Sequence, residues 1–284
     1  MNKLVQRLLI FTVAIPLIVA VVLLLDHFNH LAFNILTVVF SAVGAMEFSI
    51  MLAKKNIKIS RIEAAVLGAL PPAVMTLIVS FNVADTFLIF AAFTAAVLWM
   101  LLSRIISRGE ALESFANRLA AGLSVLTYPG LLMAWLTGMS RWENSGILIL
   151  TFLCIVFASD SAAWATGMLF GKNNKGVFPA SPNKSIAGFI GGTAGAVILG
   201  GLATMFLPEA FSLQSGTFAP GAALGLLTGV AAAVGDLAES AIKRSTGTKD
   251  SGKLILGRGG ALDCIDSITF AAPVFYIAIV CFLF

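Results

Sequence analysis

The chain has 284 residues, 59% hydrophobic and 11% charged, with a mean hydropathy of +0.98. Soluble domains carry roughly 25% charged residues, so a soluble globular fold is excluded. A bilayer span takes about 20 residues, and the length suits a single all-α polytopic membrane unit carrying a formal charge of +4.

Lys3 and Arg7 precede an apolar run from Leu8 to Leu25. The run resembles a signal peptide, but it is long enough to cross a bilayer and lacks a small-x-small cleavage site before Asp26. It therefore reads as a retained first span. Similar runs follow at about 31–53, 63–80, 84–103, 119–139, 146–170, 186–207, 217–242 and 267–284, which predicts a bundle of about nine transmembrane helices. Pro71 and Pro72 lie in the middle of the third and are expected to kink it. His27 and His30 share one short loop, too few ligands for a metal site, and are expected to be solvated. Cys154, Cys264 and Cys281 have no C-x-x-C spacing, so neither a disulfide framework nor a zinc site is expected.

Every Lys and Arg except Arg141 falls before the first span or in the loops after the second, fourth, sixth and eighth. By the positive-inside rule these segments, and the N-terminus with them, are cytosolic. The net charge then belongs to a face that attracts anionic lipid headgroups, and it is no argument for nucleic acid. No convincing internal repeat is present, which counts against transporter folds built from inverted halves.

Ionisable groups in or beside a span are costly and default to functional candidates. Asp236 and Glu239 are three apart near the end of the eighth run, so a helix places them on one face. Asp263 and Asp266 repeat the spacing at the entrance to the ninth. Between the pairs runs the basic, glycine-rich stretch SAIKRSTGTKDSGKLILGRGG, residues 240–260. Oxygen-rich carboxylate groups suit Mg²⁺, which binds one or two carboxylates together with substrate phosphates. Neighbouring Lys and Arg suit phosphate oxygens, and glycines let backbone amides approach them. The combination predicts phosphoryl or nucleotidyl transfer at the membrane surface, against the plainer reading of interfacial charges pairing across helix ends.

A second polar island follows the sixth run. Asp160 stands in FASDSAAW, where it is either a buried carboxylate satisfied by Ser159, Ser161 or another helix, or part of a site. The turn Ser181-Pro182-Asn183-Lys184-Ser185 is either an ordinary loop or a way of presenting Lys184 and hydroxyls to a phosphate. Glycines 188, 191, 192 and 195 are expected to serve helix packing. Glu47, in the second run, either pairs with a polar group of the bundle or borders a cavity. The sequence does not decide, and Glu47 stands outside the expected site.

These residues resemble the phosphatidate cytidylyltransferases, or CDP-diacylglycerol synthases. That family's C-terminal motif runs approximately S-x-x-K-R-x-x-x-x-K-D-x-G-x-x-(I/L)-P-G-H-G-G-x-x-D-R-x-D. Ser240, Lys243, Arg244, Lys249, Asp250, Gly252, Ile255, Gly257, Gly259, Gly260, Asp263 and Asp266 match it in register, and Gly235, Asp236 and Glu239 match the G-D-x-x-E-S before it. The island resembles the family's A-D-(S/T)-x-A-Y … F-G-(K/R) … S-P-x-K-(S/T)-x-E-G-x-x-G-G through Asp160, Ser161, Ala163, Phe170, Gly171, Lys172, Ser181, Pro182, Lys184, Ser185, Gly188, Gly191 and Gly192. The likeness covers roughly 159–267. Arg258 stands where the family usually has His, Cys264 where it has Arg, Leu256 where it has Pro, and Ala187 where Glu or Gln is common. Arg258 is expected to restore the cation missing at Cys264.

The resemblance implies that CTP and phosphatidic acid give CDP-diacylglycerol and pyrophosphate by in-line attack of the lipid phosphate on the α-phosphorus. It implies Mg²⁺, with a second cation left open, held by Asp236, Asp263 and Asp266 with Glu239 and Asp250 in support. Lys249 and Asp250 count with those three aspartates as catalytic. Lys184, Ser181, Lys243, Arg244, Arg258, Gly259 and Gly260 would bind substrate, and Asp160 would line the polar cavity beneath. Residues 1–139 then read as N-terminal transmembrane helices and 140–284 as a catalytic transmembrane region with cytosolic loops, the whole being one integral unit in a bacterial inner membrane. The partners implied are CTP, phosphatidic acid and the bilayer, with a homodimer as an open option. A related CTP-dependent lipid enzyme, a catalytically weak relative and a membrane transporter are the rival readings.

Overall fold

The computed structural model describes residues 3–83, 87–105, 114–255 and 259–282. Among them no β-sheet forms, and the chain folds as nine helices: α1 (Lys3–Leu24), α2 (His27–Ala53), α3 (Arg61–Ser80), α4 (Phe87–Ile105), α5 (Phe115–Arg141, four consecutive helical segments), α6 (Ser145–Phe170), α7 (Ile186–Phe206), α8 (Phe218–Ser245) and α9 (Leu262–Phe282). Seven of them, α2, α3 and α5 to α9, are long and apolar enough to cross a membrane. The apolar stretches of the other two, Thr12–Leu24 and Phe87–Ser103, are shorter. The protein is an all-α, polytopic membrane protein. Its chain divides into two compact units, one of residues 1–141 with 245–265 and the other of 142–244 with 266–284.

In the first unit α3 packs against α2, α4 and α5. It is one helix from Arg61 to Ser80 with both prolines inside it. Pro72 cannot supply the N–H that the Gly68 carbonyl, four residues earlier, would otherwise accept. Ser41 Oγ of α2 reaches that carbonyl instead, at 2.7 Å, and the helix is continuous through both prolines. The same hydroxyl also reaches the Pro129 carbonyl of α5. There the backbone widens into a π turn over Leu126–Leu131, a local answer to the missing N–H of Pro129.

Asn34 makes a second polar joint in this unit. Its amide donates to Ser80 Oγ at 3.3 Å and to the Asn29 carbonyl at 2.9 Å, and its oxygen accepts from Ser140 Oγ at 2.9 Å. Phe28, Asn29 and His30 all have positive φ, so the regular part of α2 begins near residue 31, where the apolar run begins. This turn exposes His27 but tucks His30 into the bundle at 5% exposure. The expectation that both histidines are solvated is therefore corrected for His30.

In the second unit α6 and α7 pack along a glycine face. Gly191 lies against Thr166, Gly192 against Ser159 and Ala163, and Gly195 against Ala162. Gly200 and Gly221 bring α7 and α8 together so closely that a Cβ on either would collide with the other's carbonyl oxygen. Phe152 of α6 packs on Phe275 of α9 with ring centroids 5.2 Å apart, and Trp142 stacks on Tyr276 at 4.7 Å.

Removing the Ser41 hydroxyl leaves buried carbonyls without their donor, at a cost of about 1–2 kcal/mol. Ser41→Ala should therefore lower the melting temperature in detergent by several degrees, and Ser41→Thr should lower it less.

Candidate functional site

In the second unit the α6–α7 connection is a tight turn. Ser181 N donates to the Phe178 carbonyl and Lys184 N to the Ser181 carbonyl, each at 3.0 Å. Ser185 caps α7, its hydroxyl accepting from Gly188 N at 3.0 Å. The turn holds Lys184 so that its Nζ meets Asp236 Oδ2 of α8 at 2.5 Å, with side chains 30% and 35% exposed. Both line a cavity of about 460 Å³ together with Asp160, Trp164, Ser185 and Phe189, a size within the range of small-molecule pockets. Asp266 of α9 lies within electrostatic reach of Asp236, Asp160 and Lys243, and its Oδ1 accepts from Ser267 N at 2.5 Å. One turn along α8, Glu239 is fully buried and forms an ion pair with Lys243, joining a residue expected to bind metal to one expected to bind phosphate. Arg244 Nε donates to the Ala180 carbonyl at 3.3 Å.

Three hydrogen bonds in the first unit converge on one oxygen of Asp263. Its Oδ2 accepts from Ser251 N at 2.9 Å, Ser251 Oγ at 2.9 Å and Gly260 N at 2.8 Å. Gly259 just before has φ +110°, and a Cβ there would strike the same oxygen, so this position accepts little but glycine. Asp263 lies in the first turn of α9, where exposed N–H groups favour a negative charge. Ile255 and Gly259 exchange backbone hydrogen bonds at 2.8 and 3.1 Å. Lys249 and Asp250 are exposed on this stretch, and Arg258 lies outside the described residues.

Sequence reasoning left out Glu47 and Ser251. Glu47 is 7% exposed; its Oε2 accepts from Leu262 N at 2.9 Å and lies 2.9 Å from Ser251 Oγ, whose single proton it shares with Asp263 Oδ2. The signal was a lone carboxylate inside the apolar run 31–53, which on energetic grounds alone is a candidate.

Among the described residues no three His, Cys, Asp or Glu side chains are placed to hold a metal ion by themselves. Mg²⁺ does not require that, since it takes one or two carboxylates and completes its shell with water and substrate phosphates. Asp266 is within electrostatic reach of Asp236 and of Asp160, and one or two carboxylates of this kind suit such an ion chemically.

The model of the cytidylyltransferase family matches residues 5–282. The chain belongs to the cytidylyltransferase family. A phosphatidate cytidylyltransferase of Synechocystis is 36% identical over 183 residues, 62% of this chain and 60% of that protein. One of Brucella suis is 39% identical over 159 residues, covering 56% and 55%. An uncharacterized Escherichia coli protein, YnbB, is 29% identical over 209 residues, covering 70% and 65%. In these alignments the chain spans less than two thirds of each relative's length.

In this cytidylyltransferase-family chain, Lys243→Met would deprive the buried Glu239 of its cation, a change that costs about 3 kcal/mol when a buried pair is broken from one side. Denaturant titration in detergent should show a loss of that size, most of it recovered when Glu239→Gln is added.

Proposed function

We propose that this protein transfers the cytidylyl group of CTP to phosphatidic acid, giving CDP-diacylglycerol and pyrophosphate. The observation that carries the reading is the Lys184–Asp236 pair on the wall of a cavity in an apolar bundle. A held cation and a carboxylate at the edge of a membrane suit a lipid phosphate and a nucleotide triphosphate meeting there. The relatives named phosphatidate cytidylyltransferase support the choice of substrates.

In this reaction an oxygen of the lipid phosphate forms a bond to the α-phosphorus of CTP, and the bond from that phosphorus to the bridging oxygen of the β-phosphate breaks. Pyrophosphate leaves with the electron pair. Phosphatidate is already anionic, so catalysis rests on positioning and charge neutralisation more than on a general base. Lys184 would exchange Asp236 for a phosphate oxygen, and Lys243 and Arg244 would hold the nucleotide or the lipid phosphate. Asp236 and Asp266 in the second unit, with Glu239 in support, and Asp263 with Asp250 in the first, are the carboxylates that would serve Mg²⁺. When bound, Mg²⁺ neutralises the triphosphate and the departing pyrophosphate. By the positive-inside rule the basic loops support a site on the cytosolic face of a bacterial inner membrane, where acyl chains would stay in lipid while the headgroup meets soluble CTP.

Purified protein given Mg²⁺, CTP and phosphatidic acid should form CDP-diacylglycerol, identified by mass spectrometry of the lipid extract. Asp236→Asn and Asp263→Asn should each lower the rate about 100-fold, as loss of transition-state electrostatic contacts does. Folded protein that binds CTP and yields no CDP-lipid would overturn the reading.

A further inference from the structure

Glu47 is a carboxylate buried in a span, and such a charge persists only where donors compensate it. Among the described residues its Oε2 faces two donors, both from the stretch that carries Asp263: the Leu262 amide and the Ser251 hydroxyl, each at 2.9 Å, the hydroxyl's single proton being shared with Asp263. Leu262 opens α9, so its N–H is one of those a helix start leaves without an intrahelical partner. Ser251 lies within 2.9 Å of both Glu47 Oε2 and Asp263 Oδ2 through one hydroxyl oxygen, and its own N–H also donates to Asp263 Oδ2. Gly252 and Gly260 crowd the Glu47 carboxyl so tightly that a Cβ on either would overlap its oxygens. The loop is shaped around Glu47 on two sides and around Asp263 on a third.

We propose that Glu47 is a positioning residue, which through Ser251 and the first amide of α9 fixes the direction in which the Asp263 carboxylate faces its ligand. The proposal rests on the reading that Asp263 serves the transfer reaction. Reach matters more than charge here, because the part played is that of a hydrogen-bond acceptor. In Glu47→Gln the side-chain amide oxygen can stand where Oε2 does. The side chain of Glu47→Asp is one methylene too short to do so, and Glu47→Ala has no acceptor.

The test uses the full chain in detergent or nanodiscs, with Glu47→Gln, Glu47→Asp and Glu47→Ala compared by hydrogen exchange without ligand. Amides over 251–263 should exchange about 10-fold faster in the Asp and Ala variants and near the wild-type rate in the Gln variant, with α3 unchanged in all three. In the CDP-lipid assay, the Mg²⁺ concentration for half-maximal rate should rise about 10-fold in the Ala variant and little in the Gln variant. Unchanged exchange over 251–263 would overturn the proposal. Equal acceleration of exchange in α3 would do the same, because it marks a general brace, and so would an unaltered Mg²⁺ requirement in an active Glu47→Ala protein. If the wild type itself makes no CDP-lipid, the transfer reading fails on that result, while the exchange pattern still decides whether Glu47 holds the Asp263 loop.

Discussion

A polar group shut away from water must find its partner within the protein, and in an apolar bundle this demand falls on very few side chains. Ser41 stands in for a donor that Pro72 cannot supply. Asn34 gathers Ser80, Ser140 and the Asn29 carbonyl. Glu239 lies fully buried beside Lys243, and Glu47 beside Ser251 and the start of α9. Most of these join segments distant in sequence, so the groups that are most costly to bury are also those that fix which segments meet.

The same demand shapes the candidate site. Cations that would bind phosphate are held by carboxylates before any ligand arrives: Lys184 by Asp236, Lys243 by Glu239. The two pairs differ in burial. Lys184 and Asp236 are each about one third exposed on a cavity wall, where an incoming phosphate can exchange with the carboxylate. Glu239 has no exposed surface, so its pair with Lys243 is shielded from water. Spacing alone gives Asp236 and Glu239 equal standing on one face of α8, whereas burial separates them.

Much of this was legible in the sequence because its signals are physical ones. Long apolar runs mark helices wherever they occur, and seven of the nine expected runs begin within about four residues of an observed helix; α1 and α9 begin earlier, at Lys3 and Leu262. Carboxylates and glycines at fixed spacing marked Asp236, Asp263, Gly259 and Gly260. What escaped depended on distant partners. The Gly68 carbonyl that Pro72 leaves without an N–H finds its donor in Ser41, from another helix. His30 looks like a loop residue until the turn at 28–30 folds it inward. Glu47 lies about 200 residues before Ser251 in the chain, so no local pattern links them. The glycines of α7 join helix packing to a wall of the cavity, since Gly188 and Gly192 both contact α6 and line the pocket.

The central claim is that the α-phosphoryl group of CTP, with its nucleoside, passes to a lipid phosphate. The most direct measurement gives the protein Mg²⁺, phosphatidic acid and CTP carrying ³²P at either the α or the γ position, and counts label in the organic and aqueous phases. The account predicts α-label in the lipid extract and γ-label in aqueous pyrophosphate. Label from the γ position in lipid would mean phosphoryl transfer by a lipid kinase and would contradict the claim, as would α-label that stays in water.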